Sequence, residues 1–332
     1  MNFVRAIPPS RGSTSAGLGA LLAGLLATVA GCAENLIQLG SLTGATQQLG
    51  ALAPSPTALL QGEPPITTSL SDATFGVDLA EPRDPRGFRP LISLARTPRG
   101  GFLLEAGLYE MHTQSYCLKA GTHGPGGGDG YLFAPPLGPA RDAVVAIVRN
   151  SAQRPELEQH DIQVLLWAII ARAKFEDLEG RLKLLATQLL SADQLALLNR
   201  TALDLVPGPA LERALASVPT PVREVLAAEA SLRQMLTNQT ATFQQIEAVA
   251  VLAGAAPWGA GSQQVSRGRW SKHPDGYFVR YLPLSYSHTL TQIWVPEKSP
   301  GVGQEYDPAL HIAVPGNTSQ QRLIQSARAH AR

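Results

Sequence analysis

Cys117 and His123, six positions apart, are the residues whose types and spacing most directly suggest chemistry. An imidazole beside a thiol helps generate the thiolate, which is the reactive form. His112, His160 and His273 stand equally open as the imidazole, and no third, orienting residue is marked. The alternative for Cys117 is a small buried hydrophobe, where a free cysteine usually sits. Joining His112 and Asp129 to Cys117 and His123 gives ligand types that Zn²⁺ accepts. The spacing His-x4-Cys-x5-His fits no standard structural motif, and no metal is expected. Five glycines lie between Gly124 and Gly130. A phosphate loop would need Gly-x4-Gly-Lys and then Ser or Thr, because the lysine and hydroxyl serve phosphate and Mg²⁺. Here Asp129 stands among the glycines and Tyr131-Leu132-Phe133 follows, so no cofactor is expected. Neither Gly-x-Ser-x-Gly nor Ser-x-x-Lys marks a serine nucleophile.

The elements that must position these residues give an α+β chain. Residues 71–140 form a β-containing N-terminal part, with candidate strands at Pro90–Leu94 and Phe102–Met111 and the glycine-rich loop at its end. Residues 141–255 form a central helical region. Its most apolar run, Ile162 to Ile170, predicts a core helix, and Ser191-x-x-Gln194 and Thr242-x-x-Gln245 read as capping boxes. Residues 256–315 return to strands as a C-terminal hairpin or small sheet. Trp270, Tyr277, Phe278, Tyr281, Ile293 and Trp294 supply the β-favouring side chains, and His273-Pro274-Asp275-Gly276 supplies a turn. Residues 316–332 read as a polar tail. Residues 32–70, spotted with Gly and Pro, read as a flexible tether spanning about 30–35 Å.

The N-terminus states where the chain works. Arg5 and Arg11 form a positive region with no acidic residue, and an apolar run from Ala16 to Val29 follows. That run is shorter than the about 20 residues that span a bilayer and fits a secretory signal. Val29-Ala30-Gly31-Cys32 closes it. This segment resembles the signal peptides of bacterial lipoproteins, whose motif is an aliphatic residue, two small residues and a cysteine. The resemblance covers residues 1–33. It implies removal of residues 1–31 and diacylglyceryl and acyl chains on Cys32. Ala33, in place of the aspartate that commonly retains such proteins at the inner membrane, implies the outer membrane. Two or more chains hold a protein stably. With Cys32 lipidated, Cys117 has no cysteine partner.

Composition narrows function by exclusion. Charged residues make up 16% of 332, and the net charge is +1. No basic stripe argues for nucleic acid, and no second apolar run reaches spanning length. The leading expectation is an outer-membrane-anchored lipoprotein, periplasmic or surface-facing. It would be a non-enzymatic component of an envelope assembly with an envelope protein as partner. The alternatives are an envelope thiol hydrolase using Cys117 and a periplasmic small-molecule binder with the glycine-rich loop at its mouth.

Overall fold

The long apolar stretches of this chain do not form separate modules. They close one barrel and cover part of it. The computed structural model describes residues 63–75, 81–82, 84–126, 128–203, 208–216, 218–238 and 241–330. The signal segment, Cys32 and most of the expected tether lie outside these residues.

Among the described residues the strands are β1 (Phe88–Pro90), β2 (Phe102–Leu103), β3 (Gly107–Cys117), β4 (Thr122–His123), β5 (Tyr131–Ala134), β6 (Val251–Leu252), β7 (Ser271–Lys272), β8 (Phe278–Ser285), β9 (His288–Val295), β10 (Glu305–Tyr306), β11 (Ile312–Pro315) and β12 (Leu323–Ala329). The helices are α1 (Arg141–Ser151), α2 (Gln159–Ile170), α3 (Gly180–Leu189), α4 (Ala192–Thr201), α5 (Gly208–Leu215), α6 (Thr220–Asn238) and α7 (Phe243–Ala250). The chain is therefore mixed α+β.

Strands β3, β9, β8, β5, β11 and β12 pair in that order, antiparallel throughout, and β12 pairs back onto β3. The ring is closed, which removes the exposed sheet edge that invites aggregation. Strand β1 adds parallel to the first half of β3, on the edge that β12 takes further along. Residues directly opposite in a ladder share a face, so the registers sort every side chain. Tyr109, Met111, Thr113, Ser115 and Cys117 point inward with Ile293, Thr291, Tyr281, Tyr131, Leu323 and Gln325. All of these are buried.

The outward face divides in two. Tyr116, Ile324, Ile312, Leu132 and Ala134 are also buried, with α1 packed on β12 and α2 on β3. Glu110, His112, Arg280, Leu282, Leu290 and Trp294 are only half-buried, so among the described residues this side of the barrel is less covered. The apolar run of α2 is buried at Leu165, Leu166, Trp167 and Ile169. Ser191 and Thr242 cap α4 and α7 with reciprocal glutamine bonds.

Three expectations need correction. The tether does not extend to residue 70, because Ile66 and Leu70 are buried in the core and Ala140 N–H donates to the Pro65 carbonyl at 3.0 Å. Residues 316–332 are not simply a polar tail. Leu323–Ala329 is the strand that closes the barrel, with Leu323, Ile324, Gln325 and Ser326 buried. The extended stretch expected over Pro90–Leu94 stops at Pro90, and a 3₁₀ turn covers Leu91–Ser93. Proline cannot donate to the next ladder bond.

Candidate functional site

Cys117 ends β3 on the inner face of the barrel. Its side chain is fully enclosed. The side chain of Gln163 on α2 accepts from Cys117 N–H at 2.8 Å and donates to the Cys117 carbonyl at 3.2 Å. The amide thus imitates a neighbouring strand, as a sheet backbone group needs a partner when buried. Burial pushes the Cys117 thiol well above its ordinary pKa, and the nearby Glu247 carboxylate adds to the rise. This is the reverse of the electropositive setting that activates a thiol.

His123 lies on β4, and its backbone pairs with Ser319 and Gln321. Among the described residues no hydrogen bond or ring contact joins it to Cys117. Asp129 accepts a hydrogen bond from Gln320. His112 sits on the outer face of the barrel, His160 stacks on Phe243 at 4.1 Å, and His273 stacks on Tyr277 at 4.3 Å. The candidate residues are therefore dispersed. Among the described residues no group of three His, Cys, Asp or Glu side chains is arranged to hold a metal ion.

Gly126 and Gly130 of the loop serve close packing. A Cβ on Gly130 would meet the Ser266 and Val265 carbonyls at 2.5 Å each, and one on Gly126 would meet Asp129 at 2.7 Å. The segment from Gly316 to Gln321 holds the end of the loop, with Gly316 N–H donating to the Gly130 carbonyl at 3.0 Å and Gln320 Nε2 to Asp129 Oδ2. Asn317 Oδ1 accepts from Gly259 N–H and Ser319 N–H, and Gln321 Nε2 donates to the Thr122 and Ala250 carbonyls.

Beside the loop is an open groove of about 360 Å³, lined by Gly124, Gly126, Gln244, Glu247, Leu252 and Tyr286. Tyr286 Oη donates to Glu247 Oε1 on its wall. Burial, and then that carboxylate, raise the Tyr286 phenol above its ordinary range. The arrangement offers a carboxylate, an amide and a phenol to a polar ligand. A second, more apolar cavity of about 420 Å³ lies among α2, α3 and α4, with Leu165, Ile169, Phe175 and Leu197 in its lining and Arg172 and Arg200 among its polar groups.

A buried polar chain crosses the other end of the molecule. His311 Nδ1 lies 2.7 Å from the Asp307 carbonyl, which only accepts, so Nδ1 carries the proton. His311 Nε2 is then the acceptor for Tyr277 Oη at 2.8 Å. Arg149 forks onto Asp307 Oδ2 at 2.8 and 2.6 Å. Burial and then the neighbouring His273 lower His311 to about 3. Burial lowers His273 to about 4, against the pull of Asp275. Gln163, Glu247, Tyr286, Asp307 and His311 carry no signal in the sequence, because each acts through a long-range partner that no spacing rule marks.

The chain matches no protein-family model, no curated protein and no solved structure.

Proposed function

We propose that this chain is an outer-membrane lipoprotein, anchored through acyl chains on Cys32, whose body is a non-enzymatic component of an envelope assembly. The observation that carries the non-enzymatic part is the enclosure of Cys117. The one thiol in the described body is buried, raised in pKa and clamped by Gln163. The anchor rests on Val29-Ala30-Gly31-Cys32 after the basic and apolar segments. In this reading the β-containing N-terminal part and the C-terminal β part act as one unit around the helical centre. The half-exposed face of β8 and β9 is available to an envelope protein partner.

A second reading, a periplasmic binder of a small polar molecule, is favoured by one observation. The groove with Glu247 and Tyr286 on its wall has Gly124 and Gly126 at its rim.

Complementation separates these readings. In cells lacking the chain, Cys117→Ser is expected to restore the phenotype, while Cys32→Ser leaves the protein in the soluble fraction and fails. Mass spectrometry of the mature N-terminal peptide is expected to show an acylated Cys32. An unmodified terminus elsewhere removes the anchor, and failure of a folded Cys117→Ser removes the non-enzymatic reading. Loss of function in folded Tyr286→Phe and Glu247→Gln, with Cys117→Ser intact, favours the binder.

A further inference from the structure

Three of the seven histidines meet at one place on the outer face of the barrel. His112 is on β3 and His288 begins β9. In the ladder His112 faces Leu290, so His288 is its diagonal neighbour, within reach of a long side chain. His112 Nδ1 lies 2.9 Å from His288 Nε2. The third, His330, follows β12. The register shift between Gln325 and Ala329 brings Ala329 opposite Thr113, and His330 N–H then donates to the His112 carbonyl at 2.8 Å. Its ring stacks on His288 with centroids 3.9 Å apart and planes 7° apart. Its Nδ1 is buried with no hydrogen-bond partner. All three residues remain partly open to solvent.

We propose that His112, His288 and His330 form a binding site for one divalent transition-metal ion. The ion takes the place of the proton now shared between His112 Nδ1 and His288 Nε2. As the rings stand they are held by that hydrogen bond and by stacking, and among the described residues no three side chains are set to hold a metal. The site therefore closes on the ion by ring rotation, with His330 swinging off the face of His288. Imidazole suits Cu²⁺, Ni²⁺ and Zn²⁺ alike, and Cu²⁺ heads the affinity order. The backbone bond from His330 to His112 fixes the third ligand beside the first two. This inference stands apart from the anchoring and assembly reading and does not depend on it.

The test uses the full chain in detergent, titrated with Cu²⁺, Ni²⁺ and Zn²⁺ salts in turn. One Cu²⁺ per chain is expected, bound more tightly than Zn²⁺, with couplings to at least two imidazole nitrogens in the paramagnetic resonance spectrum. His112→Asn and His288→Asn are each expected to weaken binding about 10–100-fold, and His330→Asn to weaken it while removing one nitrogen. His123→Asn and His160→Asn are expected to leave it unchanged. Because a variant can fail to fold, the unaltered chain is also treated with diethylpyrocarbonate with and without Cu²⁺, and its peptides are mapped. Protection of His112, His288 and His330 is expected. Affinity no better than that of free imidazole, or protection confined to other histidines, overturns the proposal. So does binding unchanged in the His112→Asn/His288→Asn double variant.

Discussion

Gln163 reaches from α2 to both backbone groups of Cys117, in a place where the sheet supplies no neighbour. Replacing it with leucine keeps the volume and orphans a buried donor and a buried acceptor. Orphaned groups cost about 1–3 kcal/mol each, so Gln163→Leu is expected to destabilise by about 2–4 kcal/mol in denaturant unfolding. A loss under about 0.5 kcal/mol, the ordinary surface-substitution range, means that the amide clamp contributes little. The same enclosure sets the behaviour of the thiol. Cys117 is expected to react slowly with iodoacetamide in the folded protein carrying Cys32→Ser, and rapidly once unfolded. Fast native labelling with an apparent pKa below the free-thiol value of about 8.5 points instead to an opening at the end of β3. The sequence marks Cys117 as a cysteine without a partner but carries no trace of Gln163. The two are 46 positions apart, and only the packing of α2 on β3 joins them.

At the scale of elements, the glycine-rich loop separates packing from ligand binding. Gly130→Ala is expected to destabilise strongly, since its methyl meets two backbone carbonyls at 2.5 Å, and neither can move without shifting the chain. Gly124→Ala meets only Val251 at 3.6 Å and is expected to be neutral. Thermal unfolding of the two variants checks this, and equal losses would count against a packing role. The core helix is tested in the same way. Leu166 is fully buried, and Leu166→Ala is expected to cost about 2–5 kcal/mol. Both elements were legible in part. The apolar run Ile162–Ile170 and the caps at Ser191 and Thr242 are local signals, and local rules read them. Strand β12 was not legible. Gln325, Ser326 and Arg328 make it look like a polar tail, yet Gln325 faces the barrel interior and Arg328 donates to the Pro155 and Leu157 carbonyls. A strand whose inner face includes polar groups gives no alternating apolar pattern. The barrel interior is itself polar near this strand, with Thr289 donating to Ser115 at 3.0 Å and Thr113 to the Thr289 carbonyl at 3.0 Å.

For the whole molecule, the ring closes only when residues 323–329 pair with residues near 113–117, so folding waits on contacts between distant parts of the chain. The His273–His311 pair sits in the same closed body, between Phe133 on β5 and Tyr277, and it ties global stability to pH. Both histidines have folded values below their ordinary 6.5, at about 4 and about 3. The unfolded chain therefore binds more protons than the folded one below pH 6.5, and stability falls as pH falls. The contribution is complete above pH 6.5. It is lost progressively down to about 4 for His273 and about 3 for His311. Glu229 acts with the opposite sign, because burial raises its carboxyl from 4.5 to about 7 against the pull of Arg172, Arg233 and Lys119. Across pH 4.5–6.5 two histidines oppose one carboxyl, and the net slope rises with pH. At about 1.4 kcal/mol per pK unit, the change from pH 7 to 4 is on the order of a few kcal/mol. Urea unfolding at pH 7, 5.5 and 4 is expected to show this decline, and His273→Gln is expected to flatten it between pH 4 and 6.5 while the His311 share persists to lower pH. A His273→Gln profile parallel to that of the unaltered chain would mean that the imidazole stack is not what senses acid.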